Sequence, residues 1–275
     1  MNTGKTIKKI LFITMWMVIG GGMLVLLIAA MGKQKKNICT GLSISIHGVS
    51  EDNCFLSRHD IMTLLKSSAK GEITGQAKSD FNLREMEDLL ENNAWVKDAQ
   101  LYFDNKDVLH VKVTERMPVA RIFTARGKSF YIDGNEEGIP LSGNLSPRVP
   151  VFINVPDKED RRQRDSLLLH HINATAMFIS QHPFWRSQVA HVELVRRHEK
   201  GDWEFDMVPV VGNHVVRLGT GQDIDKKLDR LFVFYREVLS RTGFEKYKTI
   251  DVRFAGQVVA ENKGKQTQRF QNNNN

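Results

Sequence analysis

The chain predicts an α+β fold: an N-terminal transmembrane helix, a compact β-α-α-β-β domain, and a second, mixed α/β domain built on a mainly antiparallel sheet. Three observations carry this. Residues Ile10 to Gly32 are 23 consecutive positions without an ionisable side chain. Beyond them, apolar residues recur either with period two or at i, i+3 and i+4, in short alternating blocks. Gly, Asn, Asp and Pro punctuate those blocks and often separate two strand-like runs.

At about 1.5 Å of rise per residue, the apolar run is ample for a hydrocarbon core of roughly 30 Å. Lys5, Lys8 and Lys9 precede it, and Lys33, Lys35 and Lys36 follow it. Residues 1–9 then form a cytoplasmic head, 10–32 the span and 33–41 a juxtamembrane linker, with the remainder exported. A cleaved signal peptide is the rival reading, since Leu27-Ile28-Ala29-Ala30 places small residues near a possible cut. The apolar core is about twice as long as a typical signal core, which favours a retained anchor in the bilayer.

The net charge of +7 comes from 39 basic and 32 acidic residues. Six of the basic residues flank the apolar run and no acidic residue occurs before Glu51, which leaves 33 basic against 32 acidic. The excess therefore sits at the membrane surface, and no nucleic-acid partner is expected. Cys39 and Cys54 fall in the exported part, where a bridge is chemically permitted. Their spacing leaves that bridge open, and no CxxC or zinc pattern is present.

Residues 42–117 form the first domain. Ser43 to Val49 alternates and predicts a strand. Ser57 caps a helix whose Ile61, Leu64 and Leu65 share one face, with Asp60 in its first turn. A loop from Ala69 to Asp80 leads to a second helix, opened by Asn82 with Glu85 as capping-box partner and burying Leu83, Met86, Leu89 and Leu90. Ala94 to Phe103 and Val108 to Thr114 are the next strands, joined by the turn Asp104-Asn105-Lys106.

Residues 118–260 form the second domain. Strands are predicted at Val119 to Thr124, Ser129 to Ile132 and Val151 to Val155, the last amid Pro140, Pro147, Pro150 and Pro156. Arg164 to Gln181 is helical, with Leu168, Ile172, Thr175 and Ile179 inward. Strands follow at Val189 to Val195, Trp203 to Pro209 and His214 to Leu218. A helix from Asp223 or Asp225 to Ser240 then buries Leu228, Leu231, Phe232, Tyr235 and Leu239. Tyr247 to Phe254 and Gln257 to Ala260 are the last strands, and residues 261–275 form a polar tail ending in four asparagines.

A search for chemistry finds no GxSxG, SxxK, HExxH or phosphate-cradling glycine loop. His170 and His171 are adjacent on a helix and point about 100° apart, so one ion is poorly chelated by both. Glu136-Glu137 and Glu159-Asp160 lie among turn residues as solvated charges. Asn144-Leu145-Ser146 and Asn173-Ala174-Thr175 match a glycosylation sequon that arises often by chance. No catalytic residue, cofactor, metal site or small-molecule substrate is expected. A membrane-anchored periplasmic hydrolase would require His170, His171, His191 and Glu193 to converge in one pocket.

Asn93 to Ala99, followed by Val113-Thr114-Glu115-Arg116-Met117-Pro118-Val119-Ala120, resembles the second half of the POTRA domain in the FtsQ/DivIB family. Phe130-Tyr131-Ile132-Asp133 with Gly138-Ile139-Pro140 resembles the opening of that family's β domain. Leu218-Gly219, Lys227-Leu228 and Ile250-Asp251-Val252-Arg253-Phe254 resemble its closing strand-helix-strand. The resemblance implies a non-enzymatic, single-pass inner-membrane scaffold at the division septum. It would link early and late division proteins and hold an FtsB–FtsL-type pair by strand addition in the periplasm. The adding edge then corresponds to Arg253, Phe254, Ala255, Gly256, Gln257, Val258, Val259 and Ala260. A POTRA-bearing export or envelope-assembly component is the alternative, although the chain after Pro118 is too short and too charged for a transmembrane barrel.

Overall fold

The computed structural model describes residues 12, 14–26, 38–48, 54–69, 71–157, 167–198 and 201–264. Residues 14–26 are helical, with exposed apolar side chains such as Trp16, Met17 and Leu24. Among the described residues no helix is long and apolar enough to cross a membrane, and both ends of the 10–32 span lie outside them. The chain divides into two compact units.

The first unit gathers residues up to Ser45, Arg58–Asn92 and Asp98–Val113. Its elements run β1 (Gly41–His47), α1 (Arg58–Ser68), α2 (Leu83–Glu91), β2 (Val96–Phe103) and β3 (Val108–Glu115), the predicted β-α-α-β-β order. The sheet order is β1-β3-β2, so β1 and β2 are its edges. One face of β3 puts Leu109, Val111 and Val113 fully inside, with Ile61 and Leu65 of α1 and Met86 and Leu90 of α2. Asn82 caps α2 as predicted, its Oδ1 accepting from the Glu85 N–H at 3.3 Å, while the return bond of the box runs from Asn82 Nδ2, and not from its backbone N–H, to Glu85 Oε2 at 3.2 Å. Both cysteines are present as thiols.

The second unit holds Ile46–Ser57, Asn93–Lys97 and everything from Thr114 onward. Its strands are β4 (Pro118–Thr124), β5 (Ser129–Asp133), β6 (Gly138–Ile139), β7 (Val151–Val155), β8 (Val189–Val195), β9 (Glu204–Pro209), β10 (Val215–Gly219), β11 (Tyr247–Asp251) and β12 (Val259–Asn262). They form one nine-stranded sheet, β12-β11-β10-β9-β8-β7-β4-β5-β6. The pairs β4–β7, β7–β8 and β10–β11 are parallel and the other five are antiparallel, so the sheet is mainly antiparallel. Helices α3 (Leu168–Gln181), α4 (Pro183–Gln188) and α5 (Ile224–Phe234) pack on it, and α5 runs on through a π turn, Tyr235–Leu239.

The Thr-Glu-Arg-Met-Pro segment is a stitch between backbones. Glu115 is buried, and its Oε1 accepts from the Leu56 N–H at 2.7 Å. Burial pushes its carboxyl pKa up, against the pull of the Leu56 and Phe55 amides. Arg116 donates through its backbone N–H to Trp95 O at 2.8 Å, through Nε to Val96 O at 3.1 Å and through Nη1 to Asp133 at 3.0 Å. Trp95 stacks on Phe55 at 4.0 Å and meets Tyr131 edge-on at 6.0 Å. Asn173, half of a sequon match, is buried and donates to Gly134 O at 2.9 Å.

His214 makes this unit pH-sensitive. It is buried, with Nδ1 3.3 Å from Phe244 O and Nε2 2.6 Å from Tyr235 Oη. A carbonyl only accepts, so Nδ1 carries the proton and the tyrosine hydroxyl donates to Nε2. Burial holds the imidazole pKa below the ordinary 6.5 and pushes that of Tyr235 up. The unfolded chain therefore takes up a proton first as pH falls through 6.5, and stability declines below that pH. One such proton contributes a slope of at most about 1.4 kcal/mol per pH unit. Urea midpoints at pH 7, 6 and 5 should fall for the native chain and fall less steeply for His214→Gln.

Candidate functional site

Among the described residues β12 is the edge of the large sheet and is paired on one side only, with β11. The register sets Val259 opposite Asp251, Ala260 opposite Ile250, Glu261 opposite Thr249 and Asn262 opposite Tyr247. Its other side presents unpaired backbone groups, which another chain can complete. Among the described residues, no side chain hydrogen-bonds an amide of β12.

The edge strand sits later than the sequence places it. Only Val259 and Ala260 of the expected Arg253–Ala260 segment are in β12, and Glu261 and Asn262, assigned to the tail, complete it. Arg253, Phe254, Ala255, Gly256, Gln257 and Val258 form the connection from β11. The reason is local. Gly256 adopts φ +77°, and the Gln257 N–H turns back toward Phe254 O at 3.5 Å, so the glycine marks a turn. Residues 265–275 lie outside the described residues.

Phe254 is 47% exposed and Val259 48%, whereas Val258 packs partly against the core. Two exposed apolar groups therefore flank the turn at the free edge. Phe254 is not a core residue.

Arginines fix the turn from within. Arg253 folds back on Asp251, with Nε at 3.0 Å from Oδ1 and Nη2 at 2.6 Å from Oδ2, and its backbone N–H reaches Oδ1 at 3.1 Å. Its Nη1 also donates to Glu204 at 3.1 Å. Glu204 in turn accepts from Arg197 at 2.8 Å, and Arg197 forks onto Asp206 at 2.6 and 2.8 Å. Opposite charges thus alternate through Asp206, Arg197, Glu204, Arg253 and Asp251. Burial raises the Asp251 carboxyl, but the Arg253 bonds and charge outweigh it and hold the pKa below its ordinary value.

Gly219 adopts φ +70° at the end of β10, and a Cβ there would meet Arg253 Cγ at 2.8 Å, so glycine leaves room for the arginine stem. Arg230 of α5 donates to Val252 O at 3.0 Å and Phe254 O at 3.4 Å. The sequence names Arg253 but gives no sign of this ladder, because its two local groups, Arg197 to Asp206 and Asp251 to Arg253, are far apart in the chain and are joined through the Glu204–Arg253 bond.

Two of the four residues that a hydrolytic site would need share a cavity. His170 and His171 line a shallow cavity of about 480 Å³ with Met177 and Asp223, which neither His191 nor Glu193 lines. His170 Nδ1 is 3.1 Å from Glu136, and burial lowers the pKa of His171. Among the described residues, no group of three His, Cys, Asp or Glu is arranged to hold a metal ion.

Residues 117–261 match the family described as FtsQ/DivIB, C-terminal related, and residues 37–114 match a POTRA-like domain. The cell division protein FtsQ of Rhodothermus marinus is 25% identical over 190 residues, 68% of this chain and 67% of that protein. The FtsQ of Salinibacter ruber is 27% identical over 177 residues, 62% of this chain and 66% of that protein. The FtsQ of Geotalea daltonii is 24% identical over 210 residues, 75% of this chain and 71% of that protein.

Proposed function

This chain belongs to the FtsQ/DivIB family of cell-division proteins, and from that premise we propose that it is a non-enzymatic scaffold of the division machinery. In this reading residues 10–32 anchor it in the inner membrane, and both units lie in the periplasm at the septum. An FtsB-type segment, with its FtsL-type companion, adds as a strand along β12. The observation that carries the reading is the β12 edge itself: a strand paired on one side, uncapped among the described residues, with Phe254 and Val259 exposed beside it. Main-chain pairing there supplies affinity, and the two side chains supply specificity. The 23-residue apolar run and its lysine flanks support the anchor.

Phe254→Asp and Val259→Asp test the edge. Both side chains are exposed, so each variant should unfold at the native temperature. Each should weaken retention of an FtsB-type partner by about 10- to 100-fold, the range of a buried interface anchor. Val258 is a poorer choice, because its side chain packs on the core. Unchanged partner affinity in both variants would sink the strand-addition site and leave the scaffold role standing.

A further inference from the structure

The small sheet has an edge that two carboxylates have closed. β2 is an outer strand in the order β1-β3-β2. The Leu101 N–H donates to Glu87 Oε1 at 2.7 Å, and the Ala99 N–H to Glu91 Oε1 at 3.3 Å. Amides bonded to α2 side chains point away from β3, so these are the outward donors of the edge. Glu87 and Glu91 stand four residues apart on α2, one turn of helix, while alternate residues of a strand lie about 6.6 Å apart. The two spacings match well enough for one helix face to cap two successive outward amides.

We infer that Glu87 and Glu91 form a latch that keeps the β2 edge from adding a strand, and that the strand it excludes is β2 of a second copy of this chain. The register carries this choice of partner. In an antiparallel pair centred on Gln100, Ala99 of one copy faces Leu101 of the other, and each pair exchanges two backbone hydrogen bonds. The amides needed for that dimer are the two that the glutamates occupy. Gln100 then faces itself and Asp98 faces Tyr102, so no like charges oppose across the centre. An open edge of this composition would template self-pairing, and capping its donors removes that hazard. The inference concerns the first unit and does not depend on the partner proposed for β12.

The test uses the full chain in mild detergent with Gln100→Cys as reporter, since that position lies on the two-fold axis at disulfide distance. The same chain without the reporter sets the baseline for Cys39 and Cys54. In the E87A/E91A background, mild oxidation should give at least about ten times more cross-linked dimer than in the latched chain. Exchange of the Ala99 and Leu101 amides should accelerate in step. Alanine keeps α2 helical, and a melting temperature near native checks the fold. E87Q/E91Q retains a carbonyl acceptor at each position and should stay monomeric.

Equal cross-linking in latched and opened chains would overturn the inference. So would an opened chain that stays monomeric, or unchanged exchange at Ala99 and Leu101. Dimerisation of the glutamine pair to the level of the alanine pair would overturn it too, because charge repulsion and not amide capping would then be the barrier.

Discussion

Trp185→Ala should cost the large-sheet unit about 3–5 kcal/mol, the range for emptying a large aromatic site in a packed core. Trp185 is fully buried. Its ring meets Phe184 at 4.7 Å, Tyr235 at 5.5 Å and Phe232 at 6.4 Å, each steeply tilted. Those neighbours come from α4, the π turn and α5, so one residue joins three helical segments over the sheet. The edge-to-face geometry adds about 0.5–1.5 kcal/mol per pair beyond area burial, which puts the expected loss at the upper end. The indole Nε1 is buried without a partner among the described residues. Trp185→Phe removes that donor and keeps a ring, so it should cost no more than about 1.5 kcal/mol. Urea midpoints at constant slope measure both. A phenylalanine variant as unstable as the alanine one would mean that the site needs the full indole volume, which a single ring does not fill.

That site also marks where sequence reading stopped short. The β-α-α-β-β order was legible because its elements carry clean periods, Ile61 with Leu65 on α1 and Leu109 with Val111 and Val113 on β3, and Asn82 caps α2. Strands at Val151–Val155 and Val189–Val195 fall at their expected residues. Helix α4 was not foreseen, since six residues give too little periodicity and His182-Pro183 reads as a break. In fact the proline occupies the first turn, where its missing N–H costs nothing. The two-residue β6 carries no pattern at all.

The terminal edge was legible as an edge, but its position was not. Val258 and Val259 continue an apolar run, and only the backbone at Gly256 and the pairing register with β11 separate loop from strand. Side-chain pattern speaks about burial, whereas this boundary is set by which amides face a neighbour. The ion-pair ladder was hidden for a related reason. Asp251 and Arg253 join Arg197, Glu204 and Asp206 only once β9, β10 and β11 are laid side by side.

Arg253→Ala should loosen β12 before any partner arrives. Without the guanidinium, Asp251 keeps one backbone donor and Glu204 keeps Arg197, so the ladder is broken at its outer end. An incompletely satisfied buried carboxylate costs about 1–3 kcal/mol. Arg253 is 30% exposed at its side chain, so solvent screens part of that loss and the lower half of the range is expected. The pH dependence has a definite sign. In the native chain Asp251 titrates below its ordinary 3.8, so its contribution is present above that pH and is lost as pH falls through the folded value. In the variant burial pushes the carboxyl up, opposed only by the backbone N–H of position 253 and the charge of Arg217. The stability gap between the two chains should therefore be widest near pH 7 and shrink below about pH 4. Amide exchange at Val259 to Asn262 should accelerate in Arg253→Ala and, to a smaller degree, in Arg230→Ala, which frees the Val252 and Phe254 carbonyls. Partner retention should fall in the same order, because a disordered edge must be ordered at the moment of strand addition. A variant of Arg253 that loses the partner with β12 exchange unchanged would show the arginine acting by direct contact with the added strand, and the inward clamp would then be a bystander.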